Sequence, residues 1–288
     1  MTEASGVRAD ERAAEQPTVL VTGGSRGLGL ALCRRYAARG ARVALCGRDE
    51  VALERARLEL AALGAHVLAL ACDVADPTAV RQLVAAVEER LGAVDVLVNN
   101  AAVMTVGPAS LQGVAEMERL MDVAFWGAVH ATFEVLPAMR ARGSGTIVNV
   151  TSIGGRVSTP HLIAYNAAKA AFLSFSEGLA AEERREGIHV LTVIPGFIRT
   201  GSEVRVRVVG DEEAERRWFE PGARLPLLAV RPDRAARRIV DAAERGRRAL
   251  VLTPLAQVVS RTAALSPTLT GLVLDGVNRL LPPPPPPA

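Results

Sequence analysis

Thr18-Val19-Leu20-Val21-Thr22-Gly23-Gly24-Ser25-Arg26-Gly27-Leu28-Gly29 is the stretch on which the reading of this chain turns. Its first five residues make a short β-rich run that predicts a strand buried on both faces. The glycines follow at once, and after them the spacing predicts a helix over Gly27–Arg39, with Leu28, Ala31, Leu32, Arg35 and Tyr36 at helical intervals. A strand, a glycine turn and a helix start bring free backbone N–H groups and a positive helix end to one point, which suits a pyrophosphate. A glycine cluster alone also serves any tight turn. Its position in the first unit of an alternating chain is what favours a dinucleotide.

Working outward, apolar runs and helical stretches alternate. Strands are predicted at Ala41–Cys46, Val67–Cys72, Val94–Val98, Thr146–Thr151 and His189–Ile194. Between them lie helices at Glu50–Leu63, Pro77–Leu91, Met117–Met139 and Tyr165–Glu186. Strict βα alternation with short links predicts an α/β fold with a doubly wound parallel sheet, the Rossmann architecture. No linker divides the first 250 residues, so residues 17–248 are read as one Rossmann-type domain, between a polar tail at 1–16 and an apolar extension at 249–281. The prolines from Pro282 to Pro287 predict an extended tail over 282–288. Residues 201–231 break the alternation with an Arg- and Pro-containing stretch that includes Trp218-Phe219, the pattern of a lid.

Composition narrows the class. With 49% hydrophobic and 23% charged residues and a net charge of +3, the chain reads as globular rather than disordered, membrane-spanning or nucleic-acid-binding. Cys33, Cys46 and Cys72 form no CxxC pair and sit among apolar neighbours, as reduced thiols of a cytoplasmic protein would. His66, His130, His161 and His189 show no metal-ligand spacing, and no metal site is expected. Of 34 basic residues Lys169 is the only lysine. A chain that uses arginine for every other positive charge keeps one compact ammonium here, and guanidinium cannot replace a point charge.

That lysine stands four residues after Tyr165 on a predicted helix, so both side chains share a face. A phenol titrating near 10 is a poor acid–base catalyst at neutral pH, and a neighbouring ammonium is expected to draw its pKa down. Tyr165 is thereby the candidate proton donor to a carbonyl, or the base in alcohol oxidation, with Ser152 hydrogen-bonding the substrate oxygen. At the end of the second strand, where an acid commonly accepts from the 2′-hydroxyl of NAD, the chain has Cys46-Gly47-Arg48 and only then Asp49. Arg48 and Arg26 offer two forked cations to a 2′-phosphate, which favours NADP(H) and leaves NAD(H) as a second option.

These residues together resemble the short-chain dehydrogenase/reductase family over about residues 17–200, and within it the NADP-preferring members. Thr22–Gly29 is similar to the family's TGxxxGxG loop, and Ser152, Tyr165 and Lys169 to its Ser…YxxxK site. The resemblance implies cofactor contacts from Gly23, Ser25, Arg26, Gly27, Leu28, Gly29 and Arg48, from Asp73 and Val74 around adenine, and from Asn100 and Ala101. It further implies that Pro195, Gly196, Ile198 and Thr200 line the nicotinamide, and that Tyr165 and Lys169 also touch the cofactor, Lys169 at the ribose. Two positions depart from the pattern. Ala102 replaces a glycine, and Ala124 falls where many members carry an asparagine that holds a relay water, with Asp122 as a candidate substitute. The expected activity is hydride transfer between the nicotinamide and a small carbonyl or secondary-alcohol substrate. The alternative is an NADP-binding sensor or scaffold with little turnover. A homodimer or homotetramer through the long helices is implied. In the 249–281 extension, Leu269, Leu272, Val273, Gly276, Val277 and Leu280 form a helical stripe that needs cover from the protein itself or a neighbouring subunit, with peripheral membrane contact the less favoured option.

Overall fold

The computed structural model describes residues 16–199, 206–224 and 229–283. Seven strands form one parallel sheet: β1 (Thr18–Thr22), β2 (Arg42–Gly47), β3 (Val67–Ala71), β4 (Val94–Asn99), β6 (Gly145–Val150), β7 (Ile188–Ile194) and β11 (Ala249–Val251). Their order across the sheet is β3-β2-β1-β4-β6-β7-β11. The chain therefore builds outward from β1 through β3, then crosses back to lay β4 on the other side of β1. That reversal opens a crevice at the carboxyl ends of β1 and β4, where ligands bind in such sheets.

Burial follows from strand periodicity. Val19 and Val21 point to one side of β1 and Leu20 to the other, and all three are fully buried. The Val19 side packs on α1 (Gly27–Ala37), α2 (Glu50–Ala61) and α8 (Pro232–Glu244), through residues such as Leu32, Leu60 and Ile239. The Leu20 side packs on α3 (Pro77–Leu91), α5 (Gly127–Arg142) and α6 (Ile163–Glu182), through Val84, Leu136 and Leu179. Each fully buried leucine contributes roughly 1.5–3 kcal/mol, so the two apolar layers hold the sheet in register. Local signals set the helix starts: Asp49 caps α2 by accepting from Ala52 N at 3.0 Å, and Asp76 caps α3 by accepting from Thr78 N at 2.8 Å.

Three features differ from the sequence expectation. The helix expected over Met117–Met139 is α4 (Ala109–Met121), a five-residue π-helical turn at Asp122–Trp126, and then α5. The sheet continues past residue 248, since Leu250 in β11 pairs with Val193 of β7 and is buried. The stretch beyond it forms α9 (Pro254–Leu265) and α10 (Pro267–Asn278), and the apolar stripe at Leu269, Leu272, Val273 and Leu280 is exposed rather than covered by the protein's own surface. Of the expected lid, residues 200–205 and 225–228 lie outside the described residues, while α7 (Glu212–Arg224) is present. Two short parallel pairs complete that region, β5 (Thr105–Val106) with β9 (Arg207–Val208) and β8 (Phe197–Ile198) with β10 (Ala229–Val230). Among the described residues no helix is long and apolar enough to cross a membrane.

Candidate active site

The crevice at the switch point is one cavity of about 700 Å³, running from Arg26 and Arg48 at one end to Phe219 and Arg207 at the other. Its floor is the glycine turn. Gly23 has φ +64°, a left-handed conformation, and a Cβ there would stand 3.0 Å from Ala101 Cα. At Gly29 a Cβ would meet Gly23 O at 2.2 Å, so the start of α1 can lie against the turn only without a side chain. Asn100 locks the arrangement, donating from Nδ2 to Thr22 O at 3.0 Å and Gly23 O at 3.2 Å. Thr22 Oγ1 accepts from the N–H groups of Asn100 and Ala101 at 3.0 and 3.1 Å. No side chain caps α1. Its first N–H groups thus face the cavity beside Ser25 and Leu28, as a pyrophosphate site requires.

Beyond the turn, Arg26 Nη2 lies 3.6 Å from Asp49 Oδ2, and Arg48 Nη1 lies 3.7 Å from Asp73 Oδ2. All four side chains are solvent-exposed, so these are loose pairs from which either guanidinium can turn to an anion. Val74 lines the same end and is wedged against Gly127, where a Cβ would come within 2.6 Å of it.

At the centre, Ser152 ends the chain's exit from β6, and its Oγ accepts from Gly154 N at 3.0 Å. Tyr165, near the start of α6, lines the cavity together with Ser152. One turn on, Lys169 is only 2% exposed; its Nζ donates to Val150 O at 2.9 Å and lies 5.2 Å from the centre of the Phe172 ring. Burial pulls the Lys169 ammonium down to about 7. Burial also pushes the Tyr165 phenol above its usual value, with the neighbouring Ser152 hydroxyl acting against it. This corrects the expectation that the ammonium draws the phenol down. The helical spacing correctly placed Tyr165 and Lys169 together, but desolvation dominates both groups, and spacing says nothing about desolvation. Pro195, Gly196 and Ile198 line the cavity opposite, with Ile153 N bonded to Pro195 O at 2.9 Å; Thr200 lies outside the described residues.

Residues 17–208 match the family described as short chain dehydrogenase. This chain belongs to the short-chain dehydrogenase/reductase family. A protein of Mycobacterium tuberculosis described as the oxidoreductase SadH is 33% identical over 93% of this chain and 98% of its own length. One from Streptomyces violaceoruber, described as a ketoacyl reductase of the granaticin polyketide synthase, is 41% identical over 67% of this chain and 72% of its own. Among solved structures, a short-chain dehydrogenase from Streptomyces avermitilis superposes with a TM-score of 0.76 at 33% identity, covering 91% of this chain and 98% of that one. A variant of actinorhodin polyketide ketoreductase solved with NADPH gives a TM-score of 0.73 at 32% identity, covering 83% and 96%.

Within this short-chain dehydrogenase/reductase, Ala124 is buried in the π-helical turn against Leu120, Ala164 and Ala168, directly behind Tyr165. Asp122 is exposed and does not take the place of a polar side chain there. Three arrangements escaped sequence reasoning. Under the site, Asn99 Nδ2 donates to Asn149 Oδ1 at 2.9 Å and to Thr132 Oγ1 at 3.0 Å, and Asn149 Nδ2 donates to Ser176 Oγ at 3.0 Å. Beside the cavity, buried Glu116 accepts from both Arg119 and Arg207. On α7, Glu215, 1% exposed, bonds His161 Nδ1 at 2.7 Å through Oε1 and accepts from Trp218 Nε1 at 2.6 Å through Oε2. His161 therefore ties α7 down and is not part of the cavity wall. The most distant bonded residues of these clusters are 50, 91 and 54 positions apart, and no local pattern announces such pairs.

Proposed function

We propose that this enzyme transfers a hydride between NADP(H) and a carbonyl or secondary-alcohol carbon, with Tyr165 as the general acid and base. The observation that carries the reading is the convergence of Ser152, Tyr165 and buried Lys169 at the middle of one cavity whose far end is an uncapped helix start behind a side-chain-free turn. That floor suits a dinucleotide: Gly23, Ser25, Gly27, Leu28 and Gly29 would hold the pyrophosphate, Asp73 and Val74 the adenine, and Asn100 and Ala101 the wall between them. Pro195, Gly196, Ile198 and Thr200 would border the nicotinamide, which supplies or accepts the hydride when bound.

The chain's own residues account for the rest. Ser152 and Tyr165 line the same cavity and can both turn to one substrate oxygen, fixing the carbonyl carbon beside the cofactor site. In reduction the carbonyl carbon gains a hydride while Tyr165 gives its proton to the oxygen, and the product is an alcohol. In oxidation Tyr165 takes the hydroxyl proton as the carbon loses its hydride. A Tyr165 phenol raised by burial keeps its proton at neutral pH and is then ready to act as the acid in reduction. Lys169 would hold the ribose hydroxyls and return a proton to Tyr165, a role suited to an ammonium titrating at about 7. Its proton must come by a route that does not use the Ala124 side chain.

Arg26 and Arg48 support NADP(H) over NAD(H), because two exposed guanidiniums stand at the ribose end, each only loosely paired with an acid, Asp49 or Asp73. Free, buried thiols at Cys33, Cys46 and Cys72 support a reducing, cytoplasmic setting. Exposed Trp126 and Phe133 near and on α5 support self-association through that face. The test is consumption of NADPH and of NADH with a panel of aldehydes, ketones and ketoacyl thioesters. Turnover with NADPH supports the reading, and its absence across the panel, with cofactor bound, would favour a sensor instead.

A further inference from the structure

The substrate end of the cavity has an uneven charge. Arg119 on α4 and Arg207 on β9 both line it, and so do Met104, Leu162, Val206 and Phe219, which are apolar. The two guanidiniums share one carboxylate. Arg119 donates to Glu116 from Nε at 3.0 Å and Nη2 at 2.7 Å, while Arg207 Nη1 donates to Glu116 Oε2 at 3.2 Å. Glu116 is only 7% exposed, is held further by the Thr105 hydroxyl, and stands behind the arginines rather than in the cavity wall. The cluster thus carries one positive charge in excess, and among the described residues no carboxylate lines this end.

A clamp between β9 and α4 would need only one arginine to neutralise Glu116. The second, Arg207, has a side chain 62% exposed, and an ion pair so open adds little to stability. Only its Nη1 bonds Glu116, and the exposed guanidinium lines the cavity, so donors of its fork are left for an anion. Resting on the oxidoreductase reading above, we propose that Arg119 and Arg207 receive an oxyanion, carboxylate or phosphate, at the far end of an apolar carbonyl substrate. The apolar walls cover the body of such a molecule while Tyr165 and Ser152 take its carbonyl. Arg207 is then a specificity-determining residue acting through binding, not a participant in proton or hydride transfer.

The test compares three substrates of equal chain length with NADPH: a methyl ketone ending in a carboxylate, its methyl ester, and the same ketone ending in a phosphate. The wild type should prefer at least one anion to the ester by on the order of tenfold in kcat/KM, expressed mainly in KM, as one charge-assisted hydrogen bond warrants. Whichever anion is preferred assigns the headgroup. Arg207→Gln should cut the anion-to-ester ratio by roughly tenfold, and Arg207→Glu should invert it. The proposal is overturned if the wild type uses the ester as well as either anion, or if both variants keep the wild-type ratio. It is also overturned if neutral ketones from the panel are the only substrates, a result that leaves the oxidoreductase reading intact. Failure of every carbonyl compound in the panel would instead remove that reading.

Discussion

Replacing Lys169 with methionine should stabilise the cofactor-free protein while abolishing turnover. The side chain is 2% exposed, and burial holds its ammonium at about 7 against an ordinary value of 10.5. A lysine whose folded value is depressed releases its proton on folding, so between those two values the unfolded chain binds more protons and stability rises with pH. At about pH 7 the ionisation cost is roughly 4 kcal/mol, and by about pH 9 it has fallen to roughly 2 kcal/mol. Methionine keeps the volume and removes the charge, but loses the bond to Val150 O, worth about 1–3 kcal/mol. The net gain at neutral pH is then about 1–3 kcal/mol. Urea unfolding of both proteins at pH 7 and pH 9 measures it. The advantage of Lys169→Met should shrink by about 2 kcal/mol between the two conditions. A gap independent of pH, or a wild type whose stability falls over this range relative to the variant, would refute the buried-ammonium argument.

Other substitutions probe the glycine turn, Arg48 and α7. Arg48→Asp should shift the kcat/KM ratio from NADPH toward NADH by tenfold or so, since a carboxylate repels a 2′-phosphate and accepts from a 2′-hydroxyl; an unmoved ratio would show that Arg48 does not read the phosphate. Gly29→Ala places a Cβ 2.2 Å from Gly23 O and should weaken dinucleotide binding severely, by fluorescence titration, with the far-ultraviolet dichroism retained. Glu215→Ala leaves the His161 ring and the Trp218 N–H without their partner, a local cost of about 1–3 kcal/mol, and should speed proteolysis within α7 while raising KM.

Much of this architecture was legible because its causes are local. Val19, Leu20 and Val21 announce a strand with two buried faces, and Gly23 and Gly29 announce a place where backbone meets backbone; both readings survive in the sheet and the turn. The Tyr165–Lys169 spacing was legible for the same reason, as one helical turn. What was not legible depended on distant segments or on solvent. The π-helical turn at Asp122–Trp126 inserts into a stretch whose apolar pattern reads as a continuous helix. Lys169 sits where burial outweighs any effect of its charge on Tyr165, and neither residue type reveals that balance. Glu116 meets Arg207 across 91 residues because β5 and β9 pair, and His161 meets Glu215 because α7 folds over the segment before α6. Leu250 looked like the start of an extension because three residues are too short a strand to stand out from the helices that follow it.

The central claim is that Tyr165 moves the proton while the neighbouring residues bind, and Tyr165→Phe tests it most directly. NADPH oxidation with the best carbonyl substrate should fall by at least about a hundredfold, as expected for removal of a positioned acid, while the dissociation constant for NADPH stays within about twofold of wild type. A variant that keeps wild-type turnover would contradict the account.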